Sequence, residues 1–277
     1  MNRLSLQDRA RILNCLIEDN SMRSTSRMCD VSINTVTKLL IDVGTACAVY
    51  QNDTLRNLPY KRIQCNEIWS FCYAKQKNVP VEHEGELGYG DVYTWTALDP
   101  DTKLIASFLV GKHDYAYAKA FISDLAGRSA NTGCITTDGH KVYLEAAEGA
   151  FGGQIDFAQL VKIYGPVPTQ DQRRYSPVGF TGAQKTTISG APDISKVSTS
   201  HVKRQNLTMR MGMRRFTRLT NGFSKKIENL EHAVALHLMY YNFGRIHKTL
   251  RATPAMEAGI SDHVWSLEEI AGLADSN

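Results

Sequence analysis

Long apolar runs are missing from this 277-residue chain; none approaches the roughly 18 consecutive apolar residues that a membrane helix needs. The first ten residues, MNRLSLQDRA, have no apolar core of the kind a secretory signal carries. No Cys-x-x-Cys pair occurs among the six cysteines (Cys15, Cys29, Cys47, Cys65, Cys72 and Cys134). Their wide spacing argues against a disulfide framework or a zinc site and fits a reduced, cytoplasmic protein without membrane partners. A fourth absence is local. Ser200 to Lys226, SHVKRQNLTMRMGMRRFTRLTNGFSKK, contains neither Asp nor Glu.

What is present is ordinary in bulk and uneven in distribution. Hydrophobic content of 43% and charged content of 22% describe a soluble globular chain, long enough for one large domain plus a small one. Net charge is only +4. Between Lys203 and Arg251, however, eleven Lys and Arg stand against two acids, Glu228 and Glu231. Such clustering is an electrostatic footprint for phosphate backbones, the plain alternative being a solvated basic face.

Taken in order, residues 4–48 read as three helical pieces. Leu6, Ala10, Leu13, Leu16 and Ile17 recur at helical spacing, a short piece spans about Ser24 to Cys29, and Ser32 N-caps a third helix carrying Val36, Leu39, Leu40 and Val43. A short helix, a tight turn and a longer helix form a helix-turn-helix pattern. It points Asn34, Thr35 and Lys38 outward, where a recognition helix meets base edges; a plain three-helix bundle for dimerisation is the competing reading. Residues 51–62 contain Pro59 and read as a linker. The period then becomes extended: strands at Ile63–Ala74, Val92–Leu98 and Leu104–Val110, a helix at Ala116–Gly127, a strand at Cys134–Thr137, a helix at Tyr143–Phe151 and a strand at Phe157–Tyr164. This order predicts an α/β ribonuclease-H-like core over 63–260, a mixed sheet flanked by helices behind a small all-α helix-turn-helix domain at 1–50. The Pro, Gly, Ser and Thr of 165–199 indicate a loop insertion. Helical character resumes near Val202, a long helix runs from Lys226 to Tyr241, and 261–277 is a C-terminal tail or helix.

Six segments together resemble the insertion-sequence-one type of DDE transposase: RSTSRMCDVSINTVTKLL (23–40), IQCNEIWSF (63–71), GDVYTWTALDPDTKL (90–104), TTDGHKVY (136–143), VKRQNLTMRMGMRRFTRLTNGFSKK (202–226) and YYNFGRIHKTLRATPAMEAGI (240–260). The resemblance implies cutting and joining of DNA ends by phosphoryl transfer on two Mg²⁺ ions about 3.5–4 Å apart, held by three carboxylates. It places those acids before Glu-Ile-Trp, in Thr-Thr-Asp-Gly-His, and before Arg-Gln-Asn. This chain has Asn66, Asp138 and Lys203 at those positions.

Magnesium needs hard oxygen ligands. Asn66 removes one negative charge and Lys203 brings a cation to the metal cage, leaving Asp138 as the single family metal ligand. Strand alternation turns the neighbouring Glu67 away from the face of Asn66. The expectation is therefore a transposase-family polynucleotidyl transferase with impaired catalysis, in which Lys203 pairs with Asp138 in place of metal. An active enzyme using other ligands and a derived sequence-specific regulator are the alternatives. Arg204, Asn206, Arg210, Arg214, Arg215 and Arg218 are the expected DNA-backbone contacts, with Arg210, Arg214 and Arg218 on one helical face at i, i+4 and i+8. The implied partners are double-stranded DNA at element ends and a second copy of the chain, as a homodimer or higher oligomer.

Overall fold

The computed structural model describes residues 4–165, 180–217 and 221–275. Three helices open the chain: α1 (Leu6–Ile17), α2 (Met22–Met28) and α3 (Ile33–Thr54). Each begins at a serine, Ser5, Ser21 or Ser32, whose hydroxyl accepts a backbone N–H of the first turn. The strands follow as β1 (Arg62–Cys72), β2 (Gly90–Leu98), β3 (Ile105–Gly111), β4 (Cys134–Thr137), β5 (Asp156–Tyr164) and β6 (Phe180–Ser189). Interleaved with them and after them are α4 (Tyr115–Arg128), α5 (Val142–Phe151), α6 (Ser200–Gly212), α7 (Ile227–Met239), α8 (Pro254–Glu257) and α9 (Leu267–Gly272).

One six-stranded mixed sheet results, in the order β3-β2-β1-β4-β5-β6. The β1–β2, β2–β3 and β5–β6 pairs are antiparallel, and β1–β4 and β4–β5 are parallel. Helices cover both faces. Side-chain alternation along β1 splits the core accordingly: Ile63 and Cys65 pack with Phe121, Leu125 and Tyr143 of α4 and α5, whereas Ile68 and Cys72 pack with Val202 and Met209 of α6 and Leu230 and Val234 of α7.

Two segments differ from the sequence reading, and a third, the C-terminal tail or helix, is made specific. The segment expected to be a linker is a packed joint. Helix α3 continues to Thr54, Leu55, Leu58 and Tyr60 are buried, and the Arg128 guanidinium donates to the carbonyls of Gln51 and Leu55. The helices of 4–54 share one apolar core with α7 and α9. Gly44 makes the α3–α7 approach possible, since a Cβ there would lie 2.5 Å from the Cβ of His232. Strand β6 lies inside the expected loop insertion, most of whose remaining residues, 166–179, fall outside the described ones. The C-terminal stretch is tied down, with α9 capped by Ser266 and Arg9 reaching Asp275 through two 2.8 Å bonds. Among the described residues no helix is long and apolar enough to cross a membrane.

Candidate functional site

Helix α6 is fixed to the sheet by a cap that its own residues do not supply. Its N-cap residue Thr199 makes no side-chain bond, and the Gln64 side-chain oxygen on β1 instead accepts the backbone N–H groups of His201 (3.0 Å) and Val202 (3.1 Å). One turn on, the Asn206 side-chain amide donates to the Glu67 carbonyl at 3.1 Å, and that of Asn66 donates to the same carbonyl at 2.7 Å. The oxygens of both amides are buried without partners. Asn206, expected on DNA, is thus a buried docking residue, because the i+3 spacing from Lys203 turns it toward β1.

These bonds seat Lys203 near the middle of β1 and within electrostatic reach of Asp138, just past the end of β4. The lysine is half-buried, and its ammonium is pushed down first by burial, against the attraction of Asp138. No Lys203–Asp138 ion pair forms within 4.0 Å among the described residues, so the expected pairing gives way to a looser electrostatic relation. Asp138 itself is occupied locally, its carboxylate accepting the backbone N–H of His140 at 3.1 Å. Glu67 faces the α5 layer, as alternation requires, and burial pushes its carboxyl up to about 7, with the charge of Asp138 acting in the same direction. The carboxyl oxygen Oε1 and the buried Tyr143 hydroxyl, although near one another, make no hydrogen bond of normal geometry.

The loop after Asp138 is held by a histidine pair that sequence spacing does not announce. His140 Nδ1 accepts from the Val142 backbone at 3.3 Å, which leaves its Nε2–H to donate to His113 Nδ1 at 3.3 Å. His113 stacks on Tyr93 with ring centroids 4.2 Å apart. Register alone brings His113, at the end of β3, next to His140.

Helix α6 thus brings Lys203 within electrostatic reach of Asp138 and Glu67, while Asn66 and Asn206 share the Glu67 carbonyl, and the side chains at this junction do not fit a two-magnesium centre. Among the described residues no group of three His, Cys, Asp or Glu is disposed to hold a metal ion. The two carboxylates present are one engaged in a turn and one driven toward its neutral form, and the third position is a cation.

The other side of α6 is different in character. Arg204 is exposed and lines a groove of about 540 Å³ with Lys103, His201, Arg245, His247 and Lys248; no acid contributes to its lining. Burial and then the neighbouring cations hold both imidazoles below their usual range: Lys103 and Arg62 for His201, Lys103 and Arg245 for His247. The bulk of this groove comes from residues 103 and 241–254, outside the segment expected to grip DNA.

The remaining expected contacts divide. Asn34 and Lys38 are exposed on α3 and Thr35 is half-buried, its backbone N–H held by Ser32. Helix α6 stops at Gly212, and Arg214 and Arg215 lie in a short 3-10 turn (Arg214–Phe216), so Arg210 and Arg214 do not share one helical face. Arg214 is exposed, whereas Arg215 turns inward to the Ser224 hydroxyl at 2.6 Å. Arg218 lies outside the described residues. His247 closes a structural turn, its carbonyl accepting the N–H of Leu250 and of Arg251.

Compared with protein-family models the chain matches none, and no curated protein is significantly similar to it.

Proposed function

We propose that this protein binds double-stranded DNA through a ribonuclease-H-like core of the transposase type and does not cut it by two-metal chemistry. The strand order, three antiparallel strands followed by two parallel ones with helices on both faces, is compatible with that core. The observation that carries the binding half is the acid-free groove lined by Lys103, Arg204, Arg245 and Lys248, placed on the helix that also borders the Asn66–Asp138–Lys203 junction. A concave surface with four fixed cations concentrates phosphates and releases their counterions. Capped helix α3, with Asn34 and Lys38 outward, is the base-reading element in this reading. A second copy of the chain completes the assembly on paired DNA ends.

The non-cutting half rests on the misfit of the junction to metal. A strand-cleavage and strand-transfer assay in Mg²⁺ or Mn²⁺ tests it: wild-type protein yields bound, uncut DNA, and cleavage products would overturn the reading. The double variant Asn66→Asp/Lys203→Glu restores the carboxylate set and is expected to gain saturable Mg²⁺ binding by calorimetry. If it does not, the assignment of those two positions as lost ligands is wrong.

A further inference from the structure

A second cavity, of about 740 Å³, opens where the N-terminal helices meet α7, and its size is in the range of small-ligand sites. Its lining combines apolar side chains such as Met22, Leu40, Met213 and Leu236 with the polar Asn20, Ser21 and Asn221 and the cations Arg23, Arg214 and Lys225. Two features of the lining are costly without an occupant. His237 is 6% exposed, and neither ring nitrogen has a hydrogen-bond partner. Burial drives this imidazole down to about 4, so it is neutral at ordinary pH and presents one donor and one acceptor. Arg215 is the second. Burial lowers its guanidinium to about 10, its neighbours are the Ser224 hydroxyl and the Met22 sulfur, and no carboxylate pairs with it among the described residues. Arg214, by contrast, has Asp19 within electrostatic reach.

A largely desolvated cation without an anion and a buried donor–acceptor pair without a partner are each expensive to maintain. Together, in a slot with apolar walls on one part and polar groups on the rest, they describe a flat heteroaromatic ring bearing a phosphate. The ring edge would satisfy His237, and the phosphate would neutralise Arg215. Lys225, its ammonium 3.6 Å from the centroid of the Phe223 ring, adds a cation and an aromatic face at the opening.

We infer that this cavity is a nucleotide site, filled by an unpaired nucleotide drawn from the DNA that the groove along α6 holds. The inference rests on the DNA-binding reading for the source of the nucleotide, and a free mononucleotide is the other source with the same chemistry. Extruding a base from a duplex costs a few kcal/mol, least where the base is already unpaired, so the site selects a bulged or frayed position.

The test measures affinity for a duplex with one bulged 2-aminopurine, the same duplex fully paired, free 2-aminopurine deoxynucleoside monophosphate, and inorganic phosphate. The bulged duplex is expected to bind at least about tenfold more tightly than the paired one, with a change in 2-aminopurine emission. Ala233→Phe, which fills the cavity, is expected to erase that preference while leaving paired-duplex affinity as it was, a result that also certifies folding. Equal affinity for bulged and paired duplexes overturns the inference and leaves the DNA-binding reading standing. Binding of the monophosphate with no binding of either duplex keeps the site and overturns the DNA source. Inorganic phosphate competing as well as the monophosphate overturns the base slot.

Discussion

Lys203 and Arg204 are adjacent in the chain and belong to opposite environments. Lys203 is half-buried near β1 and the end of β4, where desolvation lowers the ammonium and the charge of Asp138 opposes that shift. Arg204, about 100° further round the helix, faces a groove whose lining has cations and no acid. The same helix thus borders, on one side, a junction of mixed charge that does not fit a two-metal centre and, on the other, a groove lined by cations. A two-metal site needs carboxylates at fixed spacing, and Asn66 and Lys203 supply none. Binding backbone phosphates needs only positive charge in a concave place, and many residues share that task.

The largest expected effect breaks the comparison on its binding side. Arg204→Ala, Arg245→Ala and Lys248→Ala together should weaken binding of any duplex on the order of 100-fold at low salt and reduce the log–log salt slope by about 3, read by fluorescence anisotropy. An unchanged slope would move the DNA elsewhere.

The next sharpens the junction side. The Glu67 carboxyl titrates near 7 in the fold and near 4.5 when unfolded. Between those values the unfolded chain ionises while the fold stays protonated, so this residue lowers stability as pH rises through that window and adds no further change above it. Glu67→Gln should therefore melt with the wild type below about pH 4.5 and be more stable above pH 7, on the order of 3 kcal/mol. Equal melting curves at high pH would show that the site is wetter than described.

A smaller effect concerns specificity. Asn34→Ala and Lys38→Ala should change discrimination between DNA sequences by about 1 kcal/mol or more while leaving the salt slope nearly intact. Equal losses on specific and random duplexes would remove α3 from base reading. The smallest is a pH effect in the groove. Burial and then neighbouring cations depress His201 and His247, and bound phosphates oppose the cations, so binding takes up protons and affinity should rise a few-fold as pH falls into the acidic range. A flat profile would separate these imidazoles from the DNA.

Much of the fold was legible because the apolar pattern is regular. The four residues of β4 sit where the sequence puts them, and the first three strands shift by only one or two residues at their ends. Strand β6 was not legible. It is polar, rich in Thr and exposed along most of its length, so no alternation marks a buried face. The break after Gly212 also escaped, because no proline announces it. At the site, the motifs single out residues 66, 138 and 203, but not the bonds that fix the elements around them. Gln64 capping α6 and His113 reaching His140 depend on register between strands far apart in sequence, which local pattern does not carry. The inward turn of Arg215 and the burial of Asn206 have the same origin: a basic or polar residue in a DNA-like motif looks alike whether it faces solvent or core.

The most direct measurement of the central claim is the binding of one labelled duplex across a salt series, with chelator and with Mg²⁺, followed by sizing of the strands. A steep linear log–log salt dependence, no gain in affinity from Mg²⁺ at matched ionic strength, and full-length strands throughout are expected. Binding that requires Mg²⁺, or shortened strands in its presence, would contradict it.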